Sequence, residues 1–222
     1  MHLLIISCTP RVKEKSNTDK ILTEFKKGYE ENGNTTEILY LQQRKEWENI
    51  RSKFYENTNI LFAIPLYVEC IPGIMMEFLE TLEPKTNMNT KIGFILQGGF
   101  AEASQLRCCE SYLENLPKML GCTYNGTLIK GKMFPISFIK EEYRSSMVHP
   151  FYDMGKEYTK NDYFDKKIVN EFAKPEYFSK VSMFCSNYVF APLKKFFFYL
   201  FAKNLGCKNS LNYKPYQKYV KK

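Results

Sequence analysis

Apolar positions in the first 130 residues follow two alternating rhythms. Residues 2–6, 36–41, 59–64, 91–96 and 123–129 are short runs, and 59–64 is apolar without alternation. Such runs suit parallel strands covered on both faces. Between them the period lengthens to that of a helix. Residues 19–32 place Ile21, Leu22, Phe25 and Tyr29 on one face before Asn32-Gly33-Asn34 stops the pattern. Residues 47–56 predict a short polar helix, a helix opens near Gly73 and runs through Leu82, and another covers 103–120. Strict strand–helix alternation with short connections predicts an α/β fold, a five-stranded parallel sheet with helices on both faces.

After Gly131 the rhythm changes. Residues 133–143 read as a connector, 150–158 and 164–173 as helices, and Pro175 as the start of a long helix broken or bent near Pro192. The expected organisation is one domain over 1–131 and a helical extension over 132–222, packed on that domain or at a dimer interface. Residues 181–205 are rich in Phe and Tyr, but Pro192 and Lys194-Lys195 interrupt them. They do not read as a membrane span, and burial in the core or between subunits is the expectation.

Composition narrows the chemistry. The seven cysteines, at 8, 70, 108, 109, 122, 185 and 207, are odd in number and irregularly spaced, with no C-x-x-C pair and only two histidines beside them. This argues against a zinc site, an iron–sulfur cluster or a disulfide framework, and for free thiols in a reducing cytoplasm. The N-terminal apolar run is too short for a secretory signal. A net charge of +8 raises nucleic acid as a partner, yet Lys and Arg are spread out, densest at Lys194-Lys195 and 214–222, without a recognition motif. A solvated basic surface or tail is the reading.

The first strand runs directly into Ser7-Cys8-Thr9-Pro10-Arg11 and then Ser16-Asn17-Thr18, where a helix starts. Helix-start N–H groups lack intrahelical partners and carry partial positive charge, so this loop suits a phosphate. Ser7, Thr9, Ser16 and Thr18 offer hydroxyls, and Arg11 offers a charge-assisted fork. An ordinary βα loop capped by Ser16 or Asn17 accounts for the same residues. A P-loop and a dinucleotide fingerprint both need glycines that the loop lacks. A Cys-based phosphatase loop would place Arg six residues after Cys8, where Glu14 stands. The loop is suited to holding a phosphate, not cleaving one. Two further loops of unusual composition leave strand carboxyl ends: Pro65-Leu66-Tyr67-Val68 with Pro72-Gly73, and Gln97-Gly98-Gly99-Phe100-Ala101-Glu102.

These three motifs, in this order over residues 2–130, resemble the flavodoxin-like NAD(P)H-dependent FMN reductases. The resemblance implies strand order 2-1-3-4-5, in which the three loops meet in one crevice. It implies FMN, with its phosphate held by Ser7, Thr9, Pro10, Arg11, Ser16, Asn17 and Thr18. Pro65, Leu66, Tyr67 and Val68 would lie along the ring, Tyr67 by stacking. Gln97, Gly98, Gly99, Phe100 and Glu102 would meet its polar edge, the two glycines bringing N–H groups close. Glu102 also reads as a carboxylate set at a helix start by the dipole. The tail from Lys203 to Tyr216 is similar to the end of some members. The implied activity is hydride transfer from NADPH or NADH to FMN, and on to a quinone, a nitro or azo compound, or a flavin, with no catalytic side chain.

The chain departs from the family pattern at Cys8 and Thr9, where Ser or Gly is commoner. A helix start and Arg11 beside Cys8 would lower its pKa, but an inert thiol is expected. The cysteines that hold a cluster in related iron–sulfur flavoproteins are missing. Two other functions fit the residues. One is a flavodoxin-like one-electron carrier, opposed by the basic charge and the Pro-Arg pair. The other is an interaction or sensor module in which the aromatic, basic C-terminal segment binds a partner or a membrane surface. The expected partners are a small-molecule electron acceptor and a second copy, with no nucleic acid. Residues 133–160 are the candidate region for a nicotinamide pocket; His149 and Tyr152 within it read as structural.

Overall fold

The computed structural model describes residues 1–86, 89–210, 212–214 and 216. It divides into two compact units, Met1–Tyr177 and Phe178–Lys222. Pro215 and residues 217–222, part of the C-terminal similarity and of the basic cluster, lie outside the described residues.

The first unit is built on five parallel strands, β1 (His2–Ser7), β2 (Thr35–Tyr40), β3 (Asn59–Pro65), β4 (Lys91–Gln97) and β5 (Thr123–Lys130), in the order β2-β1-β3-β4-β5. Each central strand sends alternate side chains to two cores. Leu4, Ile6, Ile60, Phe62, Ile64, Ile92, Phe94 and Leu96 join one; Leu3, Ile5, Leu61, Ala63 and Ile95 join the other. Burial on both faces explains why β3 is apolar without alternation. On the first face lie α2 (Trp47–Glu56), α3 (Gly73–Leu79), α4 (Ser104–Arg107) and α5 (Glu110–Met119). On the second lie α1 (Asn17–Glu30), α6 (Glu141–Val148), α7 (Pro150–Asn161) and α8 (Lys166–Ala173).

Residues 132–177 therefore belong to the same compact unit as the sheet. The closest helix pair is α1 with α7, and glycine makes it possible. A Cβ on Gly28 would sit 1.9 Å from the Tyr152 carbonyl oxygen, and one on Gly155 would sit 2.2 Å from that of Phe25. Each glycine costs helix propensity of about 1 kcal/mol. The close approach it permits lets Phe25, Tyr29, Phe151 and Tyr158 bury completely.

Several expected boundaries moved. The helix expected over 103–120 is interrupted at Cys108–Cys109 into α4 and α5. The helix expected to reach Leu82 ends at Leu79, followed by tight turns in which Thr81 and Leu82 N–H donate to the carbonyls of Phe78 and Leu79. From the end of the expected connector runs α6, over residues for which no helix was expected; it buries only Val148 and so leaves almost no periodic signal. In the second unit the long helix expected from Pro175 is α9 (Lys180–Phe184), a π turn, and α10 (Ala191–Asn204) with Pro192 in its first turn. Proline has no N–H and fits a helix start better than its interior.

Candidate functional site

A cleft of about 420 Å³ opens beyond the carboxyl ends of β1, β3 and β4, where ligands bind in open α/β sheets. Of the expected residues it is lined by Thr9, Arg11, Asn17, Thr18, Pro65, Leu66, Tyr67, Val68, Gln97, Gly98, Gly99 and Phe100. Ser7, Pro10, Ser16 and Glu102 do not line it. Ser7 is fully buried at the end of β1, and its hydroxyl has no partner among the described residues. Ser16 caps α1: its Oγ accepts from the Asp19 N–H at 3.1 Å. Pro10 is exposed in the turn before it, and Glu102 is half-buried.

At one end of the cleft the groups suit an anion. Asp19 N–H is taken by the cap, but the N–H groups of Asn17 and Thr18 have no acceptor among the described residues. The Arg11 guanidinium is exposed and has no carboxylate partner among them. Thr9 shapes the loop, its Oγ1 accepting from the Arg11 N–H at 3.2 Å. Lys20 stands one turn into α1, its pKa lowered first by burial and then by Arg144, with Arg11 adding to the effect. Asp19 and Glu141 act on Lys20 in the opposite sense, and Arg144 pairs with Glu141, so Arg11 is the cation at the start of α1 without a carboxylate partner among the described residues. The loops are tied together: Gln97 Nε2 donates to Thr18 Oγ1 at 3.3 Å, and Asn17 Nδ2 to the Met133 carbonyl at 2.9 Å.

The other end is apolar and aromatic. Tyr67, Phe100, Phe134 and Phe138 rim it, each more than a third exposed, and the rings of Phe134 and Phe138 lie 5.1 Å apart. The β3 loop is a tight hairpin turn in which Tyr67 N–H donates to the Cys70 carbonyl at 3.0 Å and Cys70 N–H returns a bond at 3.1 Å. Its central residues, Val68 and Glu69, have φ of 48° and 63°. Two consecutive left-handed residues make a type I′ turn, which favours Asn-Gly. A β-branched valine there is strained by about 1–3 kcal/mol. The turn holds Val68 outward, 83% exposed, at the rim.

The β4 loop differs from expectation in one respect. Gly98 N–H donates to the Lys130 carbonyl at 3.1 Å, extending the sheet ladder, so only Gly99 of the glycine pair keeps its N–H open. Phe100 N–H, also without an acceptor among the described residues, is the second open donor. A Cβ on Gly98 would meet Leu106 Cδ2 at 2.6 Å, so that glycine serves packing. Cys8 is fully buried, and burial pushes its thiol well up, opposite to the lowering that its neighbours suggested. All seven cysteines are unpaired.

Glu69, Gln105, Leu106, Phe134 and Phe138 complete the wall and were not anticipated. Phe134 and Phe138 were findable: they directly follow the carboxyl end of β5, where the same rule places ligands. A larger cavity of about 700 Å³ between α3 and α5 shares Glu69 but has no lysine or arginine in its wall. Two glutamates and the Cys70, Cys108 and Cys109 thiols stand there instead. It suits a phosphate poorly.

Known structures share the architecture. An FMN-dependent NADH-azoreductase from Bacillus anthracis in complex with FMN superposes with a TM-score of 0.54 at 14% identity, covering 72% of this chain and 99% of its own. An NAD(P)H:quinone oxidoreductase from Methanothermobacter marburgensis gives 0.57 at 16% identity, covering 72% and 97%. A Trp repressor binding protein from Bacillus subtilis gives 0.50 at 16% identity, covering 69% and 95%. At such identities the likeness is one of fold. No curated protein matches the sequence. The family model of the NADPH-dependent FMN reductases matches residues 1–130, which is more than half of the chain. The chain belongs to the NADPH-dependent FMN reductase family of oxidoreductases.

Proposed function

We propose that the cleft binds FMN, phosphate at the start of α1 and ring along the Tyr67 turn, and that the protein passes two electrons from a nicotinamide to a quinone, nitro, azo or flavin acceptor. The observation that carries this reading is the polarity of one cleft: open N–H groups and unpaired Arg11 at one end, an aromatic rim at the other. Bound there, FMN would supply the hydride and electron exchange that the side chains of the cleft cannot perform.

The protein's own part is placement and electrostatics. Arg11 with the N–H groups of Asn17 and Thr18 would hold the phosphate by charge-assisted hydrogen bonds. The open N–H groups of Gly99 and Phe100 would aim at the polar edge of the ring and favour negative charge there. Pro65, Leu66 and Tyr67 would exclude water from one side. The exposed rings of Phe100, Phe134 and Phe138 would offer stacking area to a nicotinamide or to a quinone, nitro, azo or flavin acceptor. Both NADPH and NADH fit this account, and their order is a matter for measurement.

The test is to reconstitute the protein with FMN and mix it anaerobically with each nucleotide while recording absorbance. The account expects bleaching directly to the two-electron form with at least one donor, and re-oxidation on adding a quinone or azo dye. Flavin that binds but is reduced by neither nucleotide would contradict the reductase reading and favour a carrier.

A further inference from the structure

The charge of this chain is segregated by unit. It carries 32 Lys and Arg against 24 Asp and Glu; nine of those lysines and none of the acids fall in residues 178–222. Residues 1–177 are left with 23 against 24, near balance. The whole net positive charge therefore belongs to the second unit.

That unit also exposes apolar side chains on most sides of α10, four of them in one row. Leu193, Phe196, Phe197 and Leu200 of α10 are 49%, 56%, 59% and 41% exposed. Their spacing of i, i+3, i+4 and i+7 puts them on one helix face. Lys194 and Lys195 stand on the other side of the helix with Phe198, 62% exposed, between them, and Lys203 stands at the edge of the row, its Nζ over the Tyr199 ring at 5.5 Å. At 14 residues α10 is about 21 Å long, short of the roughly 30 Å hydrocarbon core. Among the described residues no helix is long and apolar enough to cross a membrane.

We propose that the second unit docks the protein on an anionic lipid bilayer, with the Leu193–Phe196–Phe197–Leu200 stripe at the boundary of headgroups and acyl chains and the lysines on lipid phosphates. A helix too short to span that exposes aromatic rings and lysines together suits the headgroup boundary, its lysines reaching outward while their stems stay with the lipid. Phe and Tyr suit the same depth. Charge complementarity selects this occupant. Two copies of residues 178–222 packed against each other would combine like charges, nine lysines from each and no acid from either. A nucleic acid would satisfy the lysines and leave the stripe in water. An anionic bilayer satisfies both. This inference is independent of FMN.

The experiment is flotation of the full chain with vesicles of phosphatidylcholine alone or with about 30% phosphatidylglycerol. Partition onto the anionic vesicles is expected to be at least about a hundredfold greater and to fall as salt rises from about 0.1 M to about 0.5 M. The combined variant Lys194→Gln, Lys195→Gln, Lys203→Gln should lower it by about a hundredfold. The pair Phe197→Ser, Leu200→Ser should lower it even at low salt. The wild-type comparison needs no variant, so it stands if a variant misfolds. Equal partition onto both vesicle types, or no flotation, overturns the proposal. So does retention by RNA but not by vesicles, or a lipid-free dimer that Phe197→Ser dissolves.

Discussion

Val68 shows how much local strain the rim of the cleft carries. Its φ of 48° is unfavourable for a β-branched residue, and the turn it occupies would accept asparagine readily. Val68→Asn is expected to raise stability by about 1 kcal/mol, a rise of about 2–4 °C in Tm. A calorimetric scan with no rise, or a fall, would show that the valine side chain contributes more than its backbone costs. Cysteine exposure gives a second prediction. Cys70, Cys108 and Cys207 are exposed, whereas Cys8, Cys109 and Cys122 are buried, and burial holds the Cys109 thiol up at about 11. A thiol reagent should titrate these three exposed groups quickly in the native protein and reach the buried three only on unfolding; fast reaction at Cys8, read by peptide mapping, would contradict the inert thiol. Most cleft residues were legible at this scale because three loops leave three neighbouring strands. Ser7 and Ser16 do not line the cleft, and the sequence does not show this because a hydroxyl in a loop reads alike whether it faces a ligand, a buried strand end or a helix cap.

Among the elements, the contact of α1 with α7 decides how the first unit closes. Gly28 and Gly155 stand where any side chain would enter the opposing backbone. Gly28→Ala is expected to cost about 3 kcal/mol and to lower Tm by about 10 °C, since neither helix can move without disturbing Phe25 and Tyr158. An unchanged melting curve would mean that the helices are not this close. The sequence shows α1 clearly, by its apolar face, and α7 partly. It does not show the contact, because two glycines inside helical patterns carry no signal until the partner is known. The same limit explains the broken helix after β4 and the unseen α6: periodicity reports a face buried against a core, and neither the Cys108–Cys109 break nor α6 has a regular one.

For the whole molecule, two-sided burial follows from runs that the sequence displays openly, whereas the sheet order is implied by the family resemblance, and the family match covers that same stretch. The segregation of charge into residues 178–222 is equally readable, but it gains meaning only with the exposure of α10. Buried and half-buried tyrosines make stability depend on alkaline pH. Burial raises Tyr29 and Tyr124 to about 12 and pushes Tyr158 further in the same direction. An unfolded tyrosine titrates near pH 10, so this contribution is complete below about pH 10 and is lost as pH climbs towards 12. Tm should stay level in that respect up to about pH 10 and then fall steeply, as thermal melts across the range would show; no steeper fall above pH 10 would contradict it. The central claim is that an anionic flavin is held by its phosphate at the start of α1, and the direct measurement is an equilibrium titration of FMN against riboflavin, with wild-type protein and Arg11→Ala. The account predicts that wild type prefers FMN by about a hundredfold or more and that Arg11→Ala removes about ten- to a hundredfold of its FMN affinity while leaving riboflavin unchanged. Equal affinity for the two flavins in wild type, or no binding of either, would contradict it.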